Sequence, residues 1–142
     1  MQDFPLQYAR IIESILRELE DLAQSSSKSD ADAVLLKLYH VFGTMLASAL
    51  QLVDKGSVAR ISLPGNRHIY QVSSTSGAPY TVLPASLAEG RPYCPCVAFM
   101  QSVLLASEQL MCKHILAARL AMALGKTRDT AVSANAVAEL LR

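Results

Sequence analysis

The stretch that decides the fold is Cys94-Pro95-Cys96, followed after fifteen residues (97–111) by Cys112-Lys113-His114. These are the three cysteines of a 142-residue chain. Three thiols and an imidazole are the donor set of a closed, tetrahedral zinc site, with sulfur about 2.3 Å and nitrogen about 2.0 Å from the metal. In extended backbone, residues i and i+2 point to the same side, so Cys94 and Cys96 can face one ion, and Pro95 stiffens the link between them. On a helix, i and i+2 diverge. Cys112 is therefore expected in the turn before a helix and His114 in its first turn, with the apolar run 115–124 forming that helix.

Three other readings of the cysteines compete. Free thiols pack as small hydrophobes, a secreted chain can join two of them in a disulfide, and iron–sulfur clusters take cysteine thiolates. All three cysteines fall into short paired spacings, which favours a metal over chance packing. No secretory signal is expected, because the opening residues lack a basic n-region and the first helix carries glutamates. Iron–sulfur clusters usually need a fourth cysteine.

Working outward, the chain is long enough for one core without disulfides. Its hydrophobic fraction is 51% and its mean hydropathy +0.26. The net charge of +1 hides an asymmetry. Residues 1–54 carry four cations against eight acids, net −4, and residues 55–142 carry nine against four, net +5. The division expected is a helical region over 1–54, serving as a partner interface, and a zinc-finger domain over 55–142.

Within 4–24, Tyr8, Ile12, Ile15, Leu19 and Leu22 make one apolar stripe of a helix, with Pro5 in its first turn and Glu13–Arg17 as an i,i+4 pair. A serine-rich link (24–29) follows. Asp30 or Asp32 then caps a second helix running to about Val53. Its residues Val34, Leu35, Leu36, Leu38, Val41, Phe42, Met45, Leu46, Leu50, Leu52 and Val53 surround it, so it is expected to be buried on all sides and to need a protein partner. Gly43 sits inside it at a cost of up to ~1 kcal/mol unless it allows close packing. No membrane span is expected, since residues 31–53 carry Asp32, Lys37, His40 and Gln51. Gly56 stops the helix.

Val58, Ile61 and Leu63, the turn 64–67, and Ile69, Tyr70 and Val72 read as a hairpin, with a third strand at 80–83 after a loop. Residues 84–93 are irregular. Residues 97–104 give a short apolar helix. Ile115, Leu116, Leu120 and Leu124 are expected to pack on the sheet. Residues 129–133 read as a loop, and Ser133 caps a last helix with Val137, Leu140 and Leu141 on one side. The fold class is α+β: N-terminal helices, a small antiparallel β-sheet, and a ββα-like zinc module with C-terminal helices.

The pattern C-x-C-x(n)-C-x-H resembles the SWIM zinc finger. Cys112-x-His114-x-x-Ala117 looks like the extended signature of the Shu2/Sws family, the small SWIM-domain subunits of Shu complexes. So does the text Leu52-Val53-Asp54 followed by Ile69-Tyr70-Gln71-Val72. The likeness covers roughly residues 34 to 142. It implies Cys94, Cys96, Cys112 and His114 as ligands of one structural zinc, and Ala117 as the small residue that lets the helix pack behind them. It also implies an obligate partner, a RecA-like recombinase paralogue, with which such proteins support recombinase filaments on single-stranded DNA in homologous recombination repair, in the nucleus.

No nucleophile with its base and no phosphate-binding glycine loop is present, and four protein ligands close the metal, so no enzyme is expected. The competing expectation is direct nucleic-acid binding through Arg60, Arg67, Arg91, Lys113, Arg119, Lys126 and Arg128. A ubiquitin-ligase subunit is a further reading, but no RING-like cysteines accompany the finger.

Overall fold

A computed structural model describes residues 3–25, 28–65, 67–74, 77–83, 92–106 and 110–131. Helices α1 (Asp3–Gln24), α2 (Lys28–Phe42) and α3 (Thr44–Asp54) come first. Strands β1 (Val58–Leu63), β2 (Arg67–Ser74) and β3 (Gly77–Val82) follow, then a π-helix (Phe99–Leu105), α4 (Lys113–Leu124) and β4 (Arg128–Ala131). The last helix expected from Ser133 onward, with Val137, Leu140 and Leu141, lies outside the described residues.

Helix α1 buries Ile12, Leu16 and Leu19 and half-buries Tyr8, Ile15 and Leu22. The stripe is the expected one with Leu16 added. The Glu13 carboxylate is held across the fold by Arg119 rather than by Arg17 one turn along.

The single helix expected to reach Val53 is two helices. Gly43 has φ 63° and ψ −137°, a conformation open to glycine, and it sits between α2 and α3 as the N-cap of α3. A Cβ there would meet nothing within 4 Å, so the glycine serves the backbone and not close packing. The break lets each half turn its own stripe inward: Val34 and Leu38 from α2, and Leu46, Ala49 and Val53 from α3. Leu36 and Tyr39 are left exposed, so the segment is not buried on all sides.

The helix that is buried nearly all round is α4. Ile115, Leu116, Ala117, Ala118, Leu120, Ala121 and Ala123 are all buried. Its alanines let neighbours approach closely, and its principal neighbours are α1 and α3, with lighter contacts to β1, β2 and β3. It packs on the sheet as expected, but the helices cover more of it.

The sheet has the order β3-β2-β1-β4. The β1–β2 and β2–β3 pairs are antiparallel, but β4 lies parallel to β1, with Ala59 opposite Arg128 and Ile61 opposite Thr130. The sheet is mixed, and most of the expected 129–133 loop belongs to its edge strand. Four residues are too few to show a period-2 pattern, and the pairing needs α4 as its crossover. Side chains alternate along each strand, so Val58, Tyr70, Val72, Tyr80 and Val82 share the face that meets the helical core.

That core runs without interruption from Ile12 to Ala123. The 54/55 division expected from the sequence falls in a turn on the surface of this shared core. Among the described residues, no helix is long and apolar enough to cross a membrane.

Candidate metal centre

The two ligand pairs are delivered by different devices. Leu83, just past β3, and Tyr93 exchange both backbone N–H···O bonds at 2.9 Å, and this bridge presents Cys94 as the next residue. After Cys96 the chain turns into helix: its carbonyl accepts the Met100 N–H at 3.3 Å, and its Sγ accepts the Phe99 N–H at 3.3 Å. At the other pair, Cys112 is the N-cap of α4, in extended conformation with φ −91° and ψ 174°. His114 then lies in the first turn, as the divergence of i and i+2 on a helix required.

All four side chains are buried, and their ligand atoms lie within 4.8 Å of one another. His114 Nδ1 is 3.8 Å from Cys94 Sγ and 3.9 Å from Cys112 Sγ. A tetrahedral zinc with bonds of about 2.3 Å to sulfur and about 2.0 Å to nitrogen separates its ligand atoms by about 3.5–3.8 Å. The three thiols and the imidazole therefore fit one zinc ion, with Nδ1 as the donor nitrogen, after closing in by up to about 1 Å.

The thiols differ in proton affinity. Hydrogen bonding from Cys94, with help from His114 and the Ile115 N–H, pulls the Cys112 thiol down to about 4 against the opposing effect of burial. Cys94 is pushed far up, first because its proton is shared with Cys112 and then by burial. Burial raises Cys96, which the Phe99 N–H partly offsets. Zinc takes cysteine as thiolate, so an ion here would compete with the protons these thiols carry.

Over 131 residues the chain is 39% identical to zinc finger SWIM domain-containing protein 7 of Mus musculus, covering 92% of this chain and 82% of that one. The Homo sapiens and Danio rerio proteins of the same name are 35% and 37% identical, each aligned over 92% of this chain and 89% of its own length. The chain belongs to the zinc finger SWIM domain-containing protein 7 family. No protein-family model matches it, and no solved structure does.

In this SWIM protein, Ala117 is fully buried one turn beyond His114, in the same core as the three cysteines. The basic residues are dispersed, and several are engaged. Arg119 makes a two-pronged pair with Glu13 at 2.6 and 2.7 Å and is 11% exposed. Arg60 holds Asp129 at 2.8 Å, and Lys126 stands 4.0 Å from Asp54. Thr127 and Arg60 together keep the Asp129 carboxyl below its usual range. Lys113, Arg67 and Arg128 are exposed, on α4, β2 and β4 respectively. Arg91 lies outside the described residues. No sequence signal placed Tyr80 against the SWIM centre. Its ring stands edge-on to His114, with centroids 4.7 Å apart.

Proposed function

We propose that the protein is a non-catalytic adaptor of homologous recombination repair. It acts in the nucleus as an obligate partner of a RecA-like recombinase paralogue, and together they promote or stabilise recombinase filaments on single-stranded DNA. The observation that carries the adaptor reading is an apolar strip beside the metal centre. Val97, Met100, Leu104 and Leu105, on and next to the π-helix, are 66%, 55%, 55% and 75% exposed. Such exposure in one short segment marks a protein interface. The strip is rooted in the centre, because Cys96 and the buried Phe99 hold its start. Leu36 and Tyr39 on α2 add exposed apolar surface in the region 1–54.

Four protein ligands leave no open position for water or substrate, which supports a structural ion and a non-enzyme. Carboxylates occupy Arg60, Arg119 and Lys126, which favours DNA contact through the partner over direct binding by this chain. The partner class itself rests on the likeness to Shu-complex subunits. The test is co-expression with a recombinase paralogue. A Val97→Asp, Leu104→Asp double variant should keep one zinc per chain and lose co-purification. Undiminished co-purification of that variant would show that the strip is not the interface.

A further inference from the structure

The imidazole of His114 must present Nδ1 to the ion, yet the torsion that sets its ring plane is soft, like every sp³–sp² side-chain torsion. Zinc-bound histidines are normally oriented by a neighbour besides the metal. Here that neighbour is aromatic. Tyr80 is on β3, opposite the fully buried Val72 of β2, so its backbone is fixed by the sheet. Its ring meets the imidazole at 62° with centroids 4.7 Å apart, the edge-to-face arrangement that aromatic pairs prefer. Nδ1 of the same imidazole lies 3.8 Å from the Cys94 sulfur and 3.9 Å from the Cys112 sulfur.

We propose that Tyr80 is a positioning residue of the metal centre, whose ring fixes the plane of the His114 imidazole so that Nδ1 is aimed at the zinc position. The inference rests on the metal centre and is independent of the adaptor role.

The experiment uses the full chain, loaded with zinc or with cobalt(II) as a spectroscopic substitute. Three readings are taken: the rate of metal release to a chelator, the visible cobalt spectrum, and the melting temperature. Tyr80→Phe keeps the ring and should match the wild type in all three. Tyr80→Leu keeps apolar bulk without the ring. It should release zinc roughly three- to tenfold faster, the range expected from losing one aromatic pair, and should alter the cobalt bands. Val82→Ala, on the same strand and fully buried, should lower the melting temperature with the cobalt spectrum unchanged. In a His114→Cys background, Tyr80→Leu should no longer change metal release, because no imidazole is left to orient. Wild-type release and spectrum in Tyr80→Leu would overturn the proposal. So would a Tyr80→Phe protein that behaves like Tyr80→Leu, or a Val82→Ala protein with the same spectral change.

Discussion

At Cys112 an extended segment becomes a helix, and both conformations serve the metal. The extended residue brings its sulfur to the cluster, and the first turn of α4 supplies the Ile115 N–H that lowers its proton affinity. Losing this thiol removes a ligand and leaves two buried thiols with no ion between them. Cys112→Ser or His114→Ala should therefore abolish zinc binding, and partner binding with it through misfolding. Metal analysis and co-purification check this, and a variant still recovered intact with its partner would contradict it. The titration of the thiols sets a second expectation. Cys94 and Cys96 are raised, whereas Cys112 is lowered, first by its hydrogen bond with Cys94. Zinc binding then releases thiol protons. Affinity should therefore fall as pH falls. Calorimetry in buffers of different ionisation heat reads the proton count directly.

Among the elements, the division of one apolar segment into α2 and α3 depends on Gly43. An L-residue at φ 63° and ψ −137° is strained although space is open around it. Gly43→Ala should cost about 1–3 kcal/mol, seen as a fall in melting temperature of roughly 3–10 °C. The pair between α1 and α4 makes a different claim. Glu13 and Arg119 are only 21% and 11% exposed, and two short bonds join them. Arg119→Met strands a half-buried carboxylate and should cost about 1–3 kcal/mol in urea unfolding. Adding Glu13→Leu should return much of that, since matched apolar groups commonly replace an ion pair without loss. A double variant no more stable than Arg119→Met alone would show that the pair is not what joins these helices.

For the molecule as a whole, one core joins α1–α3 to the finger through α4. Helix α4 carries His114 at one end and faces α1 and α3 along its length. Residues 55–142 made alone would leave those faces of α4 bare. We expect that fragment to lack a cooperative melting transition even with zinc. The full chain should melt as a single transition that chelation shifts downward by circular dichroism. An independently folding, zinc-loaded 55–142 fragment would mean that the helices are an appendage.

Ligand identity, the turn-then-helix placement of Cys112 and His114, the stripe of α1 and the β1–β2 hairpin were legible in the sequence. Each follows from spacing against a fixed period, 3.6 on a helix and 2 on a strand, or from the donor chemistry of thiol and imidazole. Only the tertiary structure decided the rest. It chose Arg119 over Arg17 as the partner of Glu13, made four residues at Arg128–Ala131 a parallel edge strand, and put Tyr80 against His114. It also made the alanine-rich α4, and not the leucine-rich α2, the helix buried nearly all round. The physical reason is common to all of these. Local periodicity records which side of an element is apolar, but the partner that covers that side comes from far along the chain. Small side chains such as Ala118 and Ala121 show their importance only when neighbouring elements close on them.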